Sequence, residues 1–84
     1  MYHTYILYSK RLDRYYTGHS GDLSIRTKKH NQGLTRSTKG GVPWELVYTE
    51  CFSSRSEAMR REYVIKKWKS RKLIEELIDG LNSN

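Results

Sequence analysis

The sequence predicts a small α+β domain in which helices flank a three-stranded antiparallel sheet, in the order β-β-α-β-α-α. Two runs rich in Tyr, Ile and Thr near the start predict a hairpin, and a third such run follows a polar loop. Two later segments carry apolar residues at helical spacing, each preceded by serine. With 84 residues, the chain is expected to form a single domain over 1–84.

The first two elements form the hairpin. Residues 2–9 (YHTYILYS) have the aromatic and β-branched content of a strand, and a second strand is expected over 14–17, ended by Gly18. Side chains alternate between the two faces of a strand. We therefore expect Tyr5 and Tyr16 to share one face of the sheet.

A helix and a long polar loop follow the hairpin. Asp22 is a suitable N-cap for a helix from Leu23 to about His30. Arg26 lies four residues before His30, so the two side chains share one polar stripe. Residues 33–43 (GLTRSTKGGVP) are rich in Gly, Ser and Thr, which is typical of a functional or mobile loop.

The second half of the chain contains one strand and two helices. The strand is expected over 44–52 (WELVYTECF). Ser54, with a glutamate three residues later, forms a capping box for a helix over 55–68. On this helix Glu62 lies on an otherwise apolar stripe. A final helix is expected over 70–80, begun by a serine and ended by a glycine.

The charge of the chain indicates a nucleic-acid partner. Sixteen Lys and Arg against nine Asp and Glu give a net charge of +7, and the basic residues cluster in 26–29, 36–39 and 60–72. The alternative is a basic surface that has no partner. The lone Cys51 favours a reducing cytoplasm. No segment approaches the about 20 apolar residues of a membrane span, so no membrane association is expected.

Glu62 is the first candidate for a functional residue. A buried, charged and unpaired carboxylate costs several kcal/mol, so this side chain needs a cation. The cation is either a basic side chain such as Arg26 or a divalent metal. Arg26 in turn either holds a phosphate through its planar fork of donors or is a solvated residue of a basic helix.

Histidines and tyrosines near these residues offer further chemistry. His19 and His30 can act as proton shuttles or phosphate donors near neutral pH, or they are ordinary surface residues. Tyr5 and Tyr16 can donate hydrogen bonds to a phosphate or orient a water, or they simply pack in the sheet.

In their order along the chain, these pieces resemble the GIY-YIG nuclease superfamily. The chain is especially similar to short stand-alone bacterial proteins related to the N-terminal domain of the excision-repair nuclease. The resemblance covers about residues 2–78 and rests on the following segments: Tyr5, Tyr16-Thr17-Gly18, Asp22–Arg26 with His30-Asn31, Trp44–Tyr48, Ser54–Ala58, Arg61-Glu62 and Ile65–Trp68. The first triplet reads His-Thr-Tyr instead of Gly-Ile-Tyr, and His19 stands where Lys is common.

The resemblance implies metal-dependent hydrolysis of DNA phosphodiester bonds, in repair or recombination. It implies these roles: Glu62 as the sole protein ligand of Mg²⁺ or Mn²⁺, Arg26 on the scissile phosphate, Tyr5 and Tyr16 positioning or deprotonating water, and His19 and His30 assisting. Relatives usually owe target choice to an attached or partner domain, so a protein partner that recognises the target is expected.

Contacts with DNA are expected from five basic residues: Arg26, Lys28, Lys29, Arg36 and Lys39. The alternative to a nuclease is a non-catalytic nucleic-acid-binding or adaptor module that retains the fold. The net charge of +7 and the altered first triplet favour that alternative. A purely structural basic domain is the third interpretation.

Overall fold

Three antiparallel strands form one sheet with the first strand in its middle, and helices cover both of its faces. The computed structural model describes residues 1–82. The elements are β1 (Tyr2–Ser9), β2 (Arg14–Ser20), α1 (Leu23–Asn31), a short 3₁₀ turn (Lys39–Gly41), β3 (Trp44–Phe52), α2 (Arg55–Trp68) and α3 (Arg71–Asn82). The predicted α+β class and the order β-β-α-β-α-α are confirmed.

The central strand β1 is buried on both faces. Tyr5, Ile6 and Leu7 are fully buried, and the residues on either side of Ile6 point to the opposite face from it. One face packs against Trp44 and α1, and the other packs against α2 and α3. The short apolar run in the middle of β1 therefore supplies the core of both layers.

The register of the hairpin places the two candidate tyrosines together. Tyr5 pairs with Gly18 and Leu7 pairs with Tyr16, so all four residues belong to the α1 face of the sheet. The expected shared face of Tyr5 and Tyr16 is thus observed. His19 is the neighbour of Gly18 and belongs to the opposite face, where α2 lies.

Each helix begins at its predicted cap, where a side-chain oxygen accepts a backbone N–H. The three caps are Asp22 with Ile25 at 3.1 Å, Ser54 with Glu57 at 3.3 Å, and Ser70 with Leu73 at 3.2 Å. These short polar side chains satisfy donors that a helix leaves open at its first turn. They fix the point at which the chain leaves each loop.

The two glycines expected to end elements lie inside them. β2 continues past Gly18 to Ser20, and α3 continues past Gly80 to Asn82. A helical glycine costs about 1 kcal/mol relative to alanine, and packing of Ile74 and Leu77 against the sheet outweighs that cost. Within residues 1–82, no helix combines the length and apolar character needed to cross a bilayer.

The polar loop over 33–43 is packed in its second half rather than open along its length. Thr38 and Gly41 are buried, and the indole N–H of Trp44 donates to the carbonyl of Thr38 at 2.6 Å. The hydroxyl of Ser9 donates to the carbonyl of Gly41 at 2.7 Å. These bonds tie the loop to the end of β1 and the start of β3.

Gly41 and Gly40 give a matched test of this packing. A Cβ at Gly41 would collide with the Trp44 ring and would lie 3.0 Å from the Ser9 hydroxyl, whereas a Cβ at Gly40 meets open space. Gly41→Ala should lower the free energy of unfolding by about 1–3 kcal/mol. Gly40→Ala should change it by no more than about 0.5 kcal/mol. Urea denaturation measures both, and equal effects would contradict the packing of the loop.

Candidate active site

The six predicted site residues lie around one part of the edge strand β2. Tyr5, Tyr16, Arg26 and His30 occupy the α1 side, where the Tyr16 and His30 rings are 5.2 Å apart. The other two, His19 and Glu62, occupy the α2 side. The structure therefore brings the predicted set together across the strand edge, and the catalytic roles of its members stay predictions.

Gly18 makes room for the Tyr5 phenol. A Cβ built on Gly18 would lie 2.6 Å from the Tyr5 hydroxyl and 2.7 Å from the ring carbon that bears it. Any side chain at this position would therefore push the phenol away from its partners. The glycine of the second triplet therefore allows a side chain of the neighbouring strand to approach closely, and it does not end the strand.

His30 joins the Tyr5 phenol to the loop. Its Nε2 lies 3.0 Å from the Tyr5 hydroxyl, and its Nδ1 lies 2.6 Å from the Thr38 hydroxyl. Burial lowers the pKa of His30, and the nearby charge of Arg26 lowers it further, so the ring is neutral at pH 7. A neutral imidazole has one donor and one acceptor and links the two hydroxyls. No sequence signal pointed to Thr38.

The Tyr5 phenol stays protonated near neutral pH. Burial raises its pKa, and the adjacent Arg26 offsets only part of that effect. Tyr5 is therefore a hydrogen-bond donor in this site rather than a ready base. Its neutral neighbour His30 is the group that can accept this hydrogen.

Arg26 is a permanent cation with donor capacity to spare. The Tyr5 phenol beside it raises the pKa of the guanidinium, with a smaller contribution from Tyr16. Its Nε is buried and has no hydrogen-bond partner among residues 1–82. An unsatisfied buried donor costs about 1–3 kcal/mol.

Glu62 is paired with two other groups and not with Arg26. Its Oε1 lies 2.5 Å from Nδ1 of His19, and its Oε2 accepts from Nζ of Lys66 at 2.6 Å. Burial acts to raise the pKa of Glu62, but the hydrogen bonds from Lys66 and His19 outweigh it and hold that pKa below its usual value. With its side chain only 17% exposed, the carboxylate is ionised and nearly enclosed.

Lys66 is a site residue that the predicted set lacked. Its Nζ lies 5.6 Å from the centre of the Tyr16 ring while it holds Glu62, so it joins the two sides of the site. The signal was present in the sequence, because Lys66 follows Glu62 by four residues on a helix.

Glu62 and its surroundings fit a hard divalent ion with one protein ligand. Within residues 1–82, no three His, Cys, Asp or Glu side chains gather in a group that could hold a metal. Mg²⁺ keeps most of its waters and often takes only one or two carboxylates, so a single Glu suffices. Lys66 supplies positive charge to the Glu62 carboxylate, as a bound divalent ion would.

A polar cleft of about 290 Å³ opens beside these groups. It is lined by His19, Ser20, Gly21, Arg26 and Arg55. His19 belongs both to this cleft and to the pair with Glu62, so the cleft adjoins the carboxylate. It is large enough for phosphate groups and is bordered by two guanidinium groups.

The other expected DNA-contacting residues lie away from this cleft. Lys28 lines a larger groove of about 520 Å³ between α1 and Leu46, which holds none of the six predicted catalytic residues. Lys29, Arg36 and Lys39 are exposed. Of the five basic residues predicted to contact DNA, Arg26 is the one that lines the cleft.

The sequence of the chain is similar to those of known proteins. A family model described as the GIY-YIG catalytic domain matches residues 1–75. A UPF0213 protein of Halobacterium salinarum is 45% identical over 67 residues, which cover 79% of this chain and 86% of that protein. A UPF0213 protein of Staphylococcus saprophyticus is 41% identical over 66 residues, which cover 77% of this chain and 80% of that protein.

The chain is also similar to a solved structure. The solution NMR structure of the UPF0213 protein BH0048 from Bacillus halodurans matches it with a TM-score of 0.58 and 41% sequence identity. The match covers 94% of this chain and 84% of that chain. Both the strand order and the helices described above are therefore those of a known fold.

The buried His30 predicts a specific loss of stability in mild acid. Because its pKa is lowered by folding, the unfolded chain binds a proton more readily than the folded chain below about pH 6.5. The free energy of unfolding should therefore fall as the pH drops from about 7.5 to 5.5, by at most about 1.4 kcal/mol per pH unit from this group. His30→Gln should remove that component.

Urea denaturation at both pH values measures the effect. His3→Gln is the matched control, since His3 lies outside this site and contacts Cys51 instead. A pH dependence that is the same in wild type and His30→Gln would show that His30 does not carry it.

Proposed function

Because the chain belongs to the GIY-YIG catalytic-domain family, whose membership supports a nuclease-type function, we propose that it is an endonuclease that hydrolyses DNA phosphodiester bonds with Mg²⁺ or Mn²⁺. The observation that carries the proposal is the meeting of two phenols, one guanidinium and one carboxylate at the edge of β2. A cytoplasmic role in DNA repair or recombination, with a partner protein that selects the target, is part of the same proposal.

Arg26 is proposed to hold the scissile phosphate. Its guanidinium lines the polar cleft and carries a buried Nε–H that no protein group accepts among residues 1–82. A planar cation with several donors matches phosphate oxygens. A fixed guanidinium also offsets the negative charge that builds on the phosphate during attack.

The two phenols are proposed to handle the attacking water. The Tyr5 hydroxyl faces His30, which keeps it oriented and can accept its hydrogen. The Lys66 ammonium lies over the Tyr16 ring, and Arg26 also interacts with Tyr16. We therefore assign positioning of the water to Tyr5. In its phenolate form, Tyr16 would take the proton of the water and become a neutral phenol.

Glu62 is proposed to be the protein ligand of the ion. When bound, the ion would polarise the phosphate and stabilise the leaving oxygen. His19 contacts Oε1 of Glu62 and so holds the carboxylate in one orientation. Lys66 contacts the same carboxylate and the Tyr16 ring, so it would compete with the ion for Glu62.

Nicking of supercoiled DNA in Mg²⁺ or Mn²⁺ tests the proposal. Glu62→Gln removes the charge that would hold the ion, and Arg26→Gln removes the cation on the phosphate. Each variant should nick at least about 100-fold more slowly than wild type, because each loses a group that stabilises charge in the transition state. Wild type should not nick in EDTA.

Matched controls separate the site from general charge effects. Glu76→Gln and Arg60→Gln change the same charges at exposed positions outside the cleft. Both should nick like wild type. Equal nicking by all five proteins would indicate a contaminating nuclease. DNA binding by wild type without any nicking would favour the non-catalytic binding module.

The contact between Lys66 and Glu62 predicts a gain in ion affinity when the lysine is removed. Lys66→Gln frees Oε2 and removes a like charge that competes with the ion. Mn²⁺ should bind this variant about fivefold more tightly, since a partly exposed charge pair is worth about 1 kcal/mol. Lys67→Gln, which loses an exposed lysine over the Tyr63 ring, is the control.

Paramagnetic broadening of NMR signals by Mn²⁺ measures this affinity. Broadening should centre on residues near Glu62 and should vanish in Glu62→Gln. An unchanged or lower affinity in Lys66→Gln would mean that the ion does not take the place of the ammonium.

A further inference from the structure

Two guanidinium groups from different helices face one cleft. Arg26 comes from α1 and Arg55 from the first turn of α2, and both line the cleft of about 290 Å³ beside Glu62. The other residues of its lining are His19, Ser20 and Gly21. The lining therefore contains no carboxylate that would neutralise the two arginines.

Neither of the two arginines is engaged by a carboxylate among residues 1–82. Ion pairs with carboxylates engage Arg61, Lys66 and Arg71 instead. Two like charges that line the same cleft repel each other, and an anion bound between them would relieve that repulsion.

The Arg55 side chain is held in place by an aromatic ring. Its guanidinium lies 5.4 Å from the centre of the Tyr2 ring. Gly21 keeps this ring close to the cleft, because a Cβ on Gly21 would already lie 3.3 Å from the ring edge. A cation–π contact uses none of the N–H donors in a hydrogen bond, so they stay available for an anion.

We propose that Arg55 binds the phosphate next to the scissile one, so that the cleft recognises two consecutive phosphates of one DNA strand. This inference rests on the proposed nuclease function, since Arg26 is taken to hold the scissile phosphate. The shared cleft places the two guanidinium groups within reach of one short stretch of backbone. A contact of this kind fixes the register of the strand without reading its sequence.

Short oligonucleotides without any metal test the proposal apart from cleavage. The probes are the thymidine trinucleotide with two phosphodiesters and the two versions in which one phosphodiester is a neutral methylphosphonate. NMR titration in EDTA gives the affinities. Wild type should bind the doubly charged probe about tenfold more tightly than either singly charged probe, as expected for one charge-assisted contact.

Arg55→Gln should abolish this preference, bringing the ratio of affinities close to one. Arg60→Gln removes the same charge from α2 outside the cleft and should retain the tenfold ratio. A ratio unchanged in Arg55→Gln, a ratio lowered equally in Arg60→Gln, or no preference in wild type would each overturn the proposal.

Failure of the nuclease proposal has a different signature. If wild type does not nick DNA but keeps a charge preference that depends on Arg55, the two-phosphate site stands without catalysis. If wild type nicks DNA in a Glu62-dependent manner but Arg55→Gln retains the preference, the nuclease stands and the second phosphate site does not.

Discussion

The pairing of β1 with β2 is the constraint on which the candidate site depends. This register sets Tyr5 opposite Gly18. Because glycine has no side chain, the phenol can lie across β2 and reach His30. A slip of one residue would turn Tyr5 to the α2 face if β1 moved, or would turn His19 away from Glu62 if β2 moved. The hairpin therefore positions groups on both sides of the sheet at once, and α1 and α2 bring their side chains to it.

The local signals in the sequence were sufficient to predict the helices and strands, but they could not predict the contacts between them. The caps at Asp22, Ser54 and Ser70 depend on neighbours along the chain, so they could be predicted. The continuation of β2 past Gly18 could not be predicted, because glycine is unfavourable inside strands. Here the glycine is needed because the Tyr5 phenol of the neighbouring strand lies against it. That use becomes visible only when the register is known.

In the candidate site, too, contacts along one helix could be predicted, whereas contacts between elements could not. A carboxylate on an apolar stripe was expected to need a cation, and Glu62 pairs with the Lys66 ammonium and also contacts the His19 ring. Helical spacing was enough to indicate Lys66, whereas the contact with His19 requires β2 to extend beyond the predicted end. Helical spacing also related Arg26 to His30, but it could not show that His30 is buried against a loop residue.

One of the two departures of the first triplet from its usual pattern, Thr4 in place of Ile, falls on the face that does not carry the tyrosines. Thr4 is fully buried on the α2 side, and its hydroxyl donates to the carbonyl of Ala58 at 2.7 Å. Ala58 lies four residues before Glu62 on α2, so this bond ties the central strand to the helix turn that precedes the carboxylate. A threonine here supplies a hydrogen bond that Gly or Ile lacks. The altered triplet therefore leaves Tyr5 in place and strengthens the attachment of the helix that carries Glu62.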